Sequence, residues 1–267
     1  MELPEIVTTV RGLRAHVAAW RKDGLRIGLV PTMGALHAGH LFLVEESRKR
    51  CQRTIVSIFV NPAQFASHED FDRYPRALQA DAGKLGATAD LIFAPSVAEM
   101  YPHGYATKIK VGGPSQGLET DFRPHFFAGV ATVVAKLLIA AQPDIAVFGE
   151  KDYQQLLVIR RLATDLALPV EIVGAPIVRE PDGLAMSSRN AYLKPHEREV
   201  AGKMNVILRT AKSEAQAAQA LLDAGFDSVD YVAIRDAATL GPAGDGPRRI
   251  LTAAKIGGTR LIDNMEL

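Results

Sequence analysis

The sequence predicts an α/β fold, a Rossmann-like parallel sheet with helices on both faces, plus a smaller C-terminal α+β domain. Two observations carry this reading. Short apolar, β-branched runs alternate with longer amphipathic stretches through the first two thirds of the chain, the pattern of βαβ units wound around a parallel sheet. After residue 176 the texture changes to helices followed by strand material, which divides the chain into 1–176 and 177–267, with a hinge near 175–183.

The strand candidates are LRIGLVP (25–31), TIVSIFV (54–60), DLIFAP (90–95), DIAVFG (144–149) and VEIVGAPIV (170–178). Near-continuous apolarity marks them as strands buried on both faces. Helical periodicity falls between them, over 8–22, 39–51, 70–85, 128–141 and 151–167. In the second part, PHEREVAGKMNVILRTA and SEAQAAQALLDAG read as two helices; VDYVAIRD and RRILTAAKIGGTRLIDN read as strand material, joined by the Gly/Pro-rich turn GPAGDGP (241–247).

Size and composition narrow the function. A chain of 267 residues can bury a substantial core, and 48% hydrophobic with 23% charged residues is ordinary for a globular enzyme. A net charge of +1 gives no global field that would favour nucleic acid or an anionic membrane. The one cysteine, Cys51, excludes an internal disulfide framework and points to a reducing, cytoplasmic setting. The N-terminal stretch has acidic residues and no signal-type apolar core, and no apolar run elsewhere is long enough to span a membrane.

Polar residues cluster just beyond the C-terminal ends of the strands, where open α/β sheets form their ligand crevice. After the first strand comes PTMGALHAGH (31–40). His37 lies in the turn and His40 in the first helical turn, so both can face one ligand, and the helix N-terminus favours an anion. Gly34 and Gly39 let a phosphate approach the backbone, while the imidazoles can donate hydrogen bonds to phosphoryl oxygens. A zinc pair and two incidental turn histidines are the alternatives for this stretch alone. It matches neither the Walker A loop nor G-x-G-x-x-G.

Three further motifs accompany it. In FGEKDYQQL (148–156), Lys151 can put a cation on phosphate, Asp152 can bind ribose or a water on Mg²⁺, and Gln154 or Gln155 can reach a substrate hydroxyl. In LAMSSRN (184–190), two hydroxyls and a guanidinium form a phosphate-binding patch on a loop near the hinge. In SIFVNPAQF (57–65), Pro62 ends the strand and leaves Asn61 and Gln64 as neutral hydrogen-bonding groups at the crevice mouth. Taken singly, a charged helix cap, a solvated loop and a plain Asn-Pro turn explain these three equally well.

Together and in this order the four motifs resemble the pantoate–β-alanine ligase family, as do RYPR (73–76), FAPS (93–96) and TRLIDN (259–264). The H-x-G-H element alone indicates only the wider nucleotidylyltransferase superfamily. The resemblance implies ATP-dependent ligation of (R)-pantoate and β-alanine to (R)-pantothenate through an enzyme-bound pantoyl adenylate, releasing AMP and pyrophosphate. It implies an ATP site built from Met33, Gly34, Ala35, Leu36, His37, Ala38, Gly39 and His40, from Gly149, Glu150, Lys151 and Asp152, and from Val178, Met186, Ser187, Ser188 and Arg189. It implies pantoate binding by Gln64 and Gln155, β-alanine binding by Gln64, and His40 as proton donor. Catalytic work on the phosphates falls to His40, His37, Lys151 and Arg189. ATP is a co-substrate, Mg²⁺ accompanies it with no protein ligand assigned, and the assembly implied is a homodimer. Asp81 is a further candidate to contact the metal.

One stretch departs from the family pattern. Where the family shows R-P-x-H-F-x-G-V, this chain reads RPHFFAGV (123–130), with Phe126 in the histidine's place and His125 one position early. No catalytic role is carried over to His125. An adenylyltransferase acting on a phosphorylated acceptor and an inactive nucleotide-binding module are the competing readings.

Overall fold

In a computed structural model that describes residues 3–66 and 71–267, four of the apolar runs form the inner strands of a parallel sheet, while the one at 170–178 forms an edge strand that is only half-buried, not covered on both faces. In chain order the α/β part comprises β1 (Glu5–Val7), α1 (Val10–Lys22), β2 (Ile27–Thr32), α2 (Ala38–Arg48), β3 (Arg53–Ile58), α3 (Leu78–Leu85) and β4 (Leu91–Phe93). Then follow the short α4 (Val97–Met100) and α5 (Glu119–Phe122), α6 (Phe126–Ala141), β5 (Ile145–Gly149), α7 (Tyr153–Asp165) and β6 (Glu171–Ala175). The sheet order is β1-β4-β3-β2-β5-β6, every pair parallel.

That order has a direct consequence for function. From β2 the chain winds outward through β3 and β4, then returns to add β5 and β6 on the other side, so the order reverses between β2 and β5. Loops leaving the C-terminal ends of β2 and β5 diverge there and leave a crevice, the usual ligand position in such sheets.

Alternation along the strands explains the two layers. Ile27 and Leu29 of β2 join Leu13, Val17 and the apolar α6 and α7 in one core, while Val30 joins Val44, Ala82 and Leu85 on the opposite face. Gly28 allows α2 to lie close, since a Cβ there would collide with Ser47 Oγ. Ser47 is itself fully buried and shares a 2.8 Å hydrogen bond with Thr54.

Three local readings in the α/β part need correction. Strand β1 is not among the sequence candidates: it has only three residues and an exposed Glu5, and its register with β4 is set by an edge position. The helix expected over 70–85 begins at Leu78, because Pro75 holds Tyr74 out of the helical region; residue 70 lies outside the described residues. The strand expected to reach 178 ends at Ala175, before Pro176.

The C-terminal part contains α8 (Pro195–Gly202), α9 (Met204–Thr210), α10 (Glu214–Ala224) and an antiparallel sheet of β7 (Ser228–Asp236), β8 (Arg248–Ile256) and β9 (Thr259–Glu266). The first predicted helix of this part is thus two helices, broken at Lys203. The long strand segment is a hairpin, turned by Gly257 and Gly258 at φ +56° and +79°. Both positive values suit a two-residue turn that glycine adopts without strain. A core of its own, including Leu184, Met204, Leu208, Leu221, Phe226 and Ile250, fills this part.

A buried polar seam ties α5 to the C-terminal sheet. The carboxylate of Glu119 accepts from both terminal nitrogens of Arg260 at 2.8 Å and from the Tyr231 hydroxyl at 2.8 Å. Burial first, then the neighbouring Glu119 charge, holds the Tyr231 phenol well above its ordinary range.

Candidate active site

The turn after β2 is fixed by a residue 46 positions downstream of Ala35. Asp81, on α3 and 1% exposed, accepts from the Ala35 and Leu36 N–H groups at 2.9 Å each. Ala35 sits at φ +51°, a conformation costing an L-residue about 1–2 kcal/mol. Hydrogen bonds to a charged group contribute about 1.5–3 kcal/mol apiece, so the Asp81 pair more than offsets that strain. Gly34, at φ +84°, fits here because a Cβ would crowd Asp81 Oδ2 at 3.1 Å. Lys84 completes the pin by donating to the Leu36 carbonyl at 2.7 Å. With each oxygen accepting from a backbone N–H, Asp81 positions the loop.

His37 caps α2, and its side chain is answered by that of His40. His37 Nδ1 accepts from the Gly39 N–H at 3.2 Å, while His40 Nδ1 accepts from the His37 N–H at 3.3 Å, a capping box made of imidazoles. The rings lie 4.1 Å apart between centroids. Gly39 is required, since a Cβ would meet His37 Cε1 at 2.9 Å. Because both Nδ1 atoms accept, the proton of each neutral ring belongs on Nε2.

Electrostatics agree with that tautomer. Burial, then the Lys151 and Lys84 charges, lowers the His37 pKa to about 4. Burial, then His37, Lys151 and Lys84, lowers that of His40 to about 3. At neutral pH both are therefore uncharged Nε2–H donors. A polyphosphate beside them would favour the charged form and oppose the shift.

Gln64 is held by a chain of contacts that the sequence hides. The short 3₁₀ turn Pro62–Gln64 abuts α6 at Gly129, where a Cβ would strike the Ala63 carbonyl oxygen. Asn61, 1% exposed, donates to Gln64 Oε1 at 3.1 Å and to the Gly129 carbonyl at 3.2 Å, and accepts from the Tyr101 hydroxyl at 2.7 Å. Asn61 thus orients Gln64: its Oε1 is engaged and its Nε2 points to Met33 Sδ at 3.1 Å.

At the end of β5, Gln154 and Gln155 separate in role. The Gln154 amide donates to the carbonyls of Pro114 and Gly117 at 3.0 and 3.2 Å and accepts from the Glu119 N–H at 3.1 Å, so it braces a loop. Both line the cavity, Gln155 beside Lys151 and Asp152, whose charged groups approach to 3.9 Å. From the other side, Ser187 caps its own 3₁₀ turn, Ser188 shares a 3.2 Å hydrogen bond with Tyr74, and the Arg189 guanidinium lies 5.9 Å from the Tyr74 ring.

One cavity of about 760 Å³ gathers these groups at the crevice between β2 and β5. Met33, His37, Gly39, His40, Gln64, Gly149, Lys151, Asp152, Gln155, Val178 and Met186 to Arg189 all line it. Gly34, Ala35, Leu36, Ala38 and Glu150 do not. Leu36 is in the core, 2% exposed, and the Glu150 carboxylate faces Arg249 at 3.5 Å. Phe126 also lines the cavity, stacked 3.9 Å from the Arg123 guanidinium, whereas His125 does not reach it. Sequence reasoning passed over Arg123, Glu119 and Arg260, which line the same space. Charge at RPHFFAGV and TRLIDN is the available signal for Arg123 and Arg260; no motif marks Glu119. Among the described residues no group of three or more His, Cys, Asp or Glu could hold a metal ion, and no helix is long and apolar enough to cross a membrane.

A parallel sheet with paired neutral imidazoles at a helix N-terminus and a lysine turn opposite defines a nucleotide-binding α/β enzyme. The chain belongs to the pantoate-beta-alanine ligase family, whose family model matches residues 5–266. It is 56% identical to the pantothenate synthetase of Mesorhizobium japonicum, covering 100% of this chain and 99% of that protein. It is 53% identical to the one from Caulobacter vibrioides, covering 99% of each. Among solved structures it is similar to pantothenate synthetase from Thermus thermophilus, with 46% identity, TM-score 0.88 and coverage of 98% and 99%. A pantoate-beta-alanine ligase from Francisella tularensis, solved with a β,γ-ATP compound and β-alanine, gives 34% identity, TM-score 0.88 and coverage of 98% and 97%. The family's reaction, ligation of pantoate and β-alanine, is the activity of this chain.

Proposed function

We propose that the residues around the cavity divide this ligation into two half-reactions. In the first, a pantoate carboxylate oxygen attacks the α-phosphorus of ATP, the bond from that phosphorus to the bridging oxygen breaks, and pyrophosphate leaves. Negative charge builds on the phosphoryl oxygens, and donors fixed in advance lower the barrier. The Nε2–H groups of His37 and His40 and the charges of Lys151 and Arg189 supply that stabilisation, with Ser187 and Ser188 donating from the opposite loop. His40 acquires proton-donor capacity as the polyphosphate counteracts its lowered pKa.

In the second half-reaction the free amine of β-alanine attacks the acyl carbon, AMP departs, and the amine loses its proton. Gln155 and Gln64 hold pantoate, and Gln64 also borders β-alanine. Mg²⁺, when bound with the nucleotide, neutralises phosphate charge, and Asp152, 44% exposed at its side chain, can hold one of its waters. In this reading residues 1–176 bind ATP and pantoate, and 177–267 form a lid that keeps the adenylate from water. The protein acts in the cytoplasm as a homodimer, with small molecules and no nucleic acid or membrane as partners.

Convergence of four separated motifs on one cavity supports this assignment most. The test is ATP–pyrophosphate exchange by the purified chain. Exchange that requires (R)-pantoate, with pantothenate and AMP forming once β-alanine is added, is expected. Exchange driven by a phosphorylated acceptor in place of pantoate would overturn the assignment.

A further inference from the structure

Asn264, on β9, is 2% exposed and lies 113 residues from Lys151, yet its side-chain amide donates to the carbonyls of both Glu150 and Lys151 at 2.9 Å. Two N–H bonds in a fixed plane meeting two successive carbonyls set the path of that backbone, and so the root of the Lys151 side chain. The amide is itself locked: Oδ1 accepts from Arg249, whose guanidinium stacks 3.8 Å from the Tyr153 ring at the start of α7.

The preceding residue grips the second nucleotide-facing segment. Asp263 takes both terminal nitrogens of Arg179 at 2.8 and 2.9 Å. Arg179 follows Val178, whose carbonyl accepts from the Met186 N–H at 2.9 Å, and it bridges Ala185. Arg179 therefore holds the base of the turn that delivers Met186 to Arg189. Two adjacent residues of one strand thus tie together segments that the sequence sets far apart.

We propose that Asp263 and Asn264 are positioning residues for adenylation: the C-terminal sheet, through this dipeptide, aligns the Lys151 turn and the Met186 to Arg189 loop on the nucleotide. The inference rests on the phosphate roles given above to Lys151 and Arg189. Supporting groups of this kind fix a reacting constellation to within about half an ångström, and their loss appears in catalysis before it appears in fold.

The test uses full-length Asn264→Asp, which keeps size but replaces two donors by acceptors facing two carbonyls. Arg179→Lys keeps charge but loses the fork. Leu221→Ala, in the C-terminal core, controls for stability alone. Thermal midpoints are recorded, and pantoate-dependent pyrophosphate exchange is measured well below all of them. Asn264→Asp should lose about tenfold or more in kcat/KM for ATP with KM for pantoate within about threefold, and Arg179→Lys about threefold or more. Leu221→Ala should lower the midpoint and leave ATP kinetics unchanged. Folded Asn264→Asp with ATP kinetics within about twofold of wild type overturns the proposal. If Asn264→Asp does not fold, wild-type ATP kinetics in Arg179→Lys do so instead. Lys151→Ala separates the two layers: full exchange activity there removes the phosphate assignment, whereas the ratio of Asn264→Asp to wild type judges the positioning.

Discussion

The turn after β2 is fixed from within the α/β part, by Asp81, Lys84 and the reciprocal caps of His37 and His40. The turn after β5, which faces it across the crevice, takes its backbone contacts from Asn264 of the other sheet. Both turns start a helix at the end of a central strand, so the difference lies in support and not in architecture. On the proposed assignment, one half of the nucleotide site is supported by contacts within the α/β part. The other half draws backbone contacts from β9, which on that assignment links the placement of Lys151 to the C-terminal part.

The comparison is broken most strongly at its most self-contained point. His40→Ala removes one arm of the capping box and, on the proposed role, a donor to the developing phosphoryl charge, and exchange activity should fall by about 10² or more. An ATP affinity defect with unchanged turnover at saturation would contradict that role. Asp81→Asn replaces one accepting oxygen by an amide against a backbone N–H and frees the Ala35 strain; kcat for exchange should fall about tenfold, since charge-assisted bonds of this kind contribute about 1.5–3 kcal/mol each. Full activity in Asp81→Asn would show that the turn holds itself without the pin.

Gln155→Ala should raise KM for pantoate about threefold to tenfold, the range for one neutral hydrogen bond, and leave KM for ATP alone. An isolated ATP defect would move Gln155 to the nucleotide side of the cavity. The smallest effect concerns protons. His37 and His40 titrate near 4 and 3 when folded, below the usual value of about 6.5 for an unfolded chain, so the unfolded chain binds more protons between these limits. Stability should therefore fall as pH drops from about 6.5 towards 4, and His40→Gln should show a flatter fall in thermal midpoint over that window. A wild-type midpoint independent of pH there would contradict the buried, neutral histidines.

Much of this was legible in the chain. Strands β2 to β5 announce themselves because both faces are buried, β6 by its apolar run although it is a half-buried edge strand, and the polar residues that line the cavity sit where strands end. The rest was hidden for physical reasons. Gln154 and Gln155 are adjacent on a helix and both line the cavity, and only the fold reveals that the Gln154 amide is taken up by the backbone of the 114–119 loop. Asp81 reads as a candidate metal contact, and its hold on the turn is hidden because its backbone partners lie 45 and 46 positions away. Only Gly202, beside Lys203, marks the break between α8 and α9, and a single glycine within helical periodicity does not by itself end a helix. Asp263 and Asn264 look like polar strand residues, since hydrogen bonds that span 84 and 113 positions leave no local pattern.

Amide hydrogen exchange in wild type and Asn264→Asp compares the two turns most directly. Protection at Ala35, Leu36 and His40 should stay unchanged in the variant, while residues 150–153 and 186–190 exchange faster. Equal loosening of both turns, or of neither, would contradict a site built in two separately supported halves.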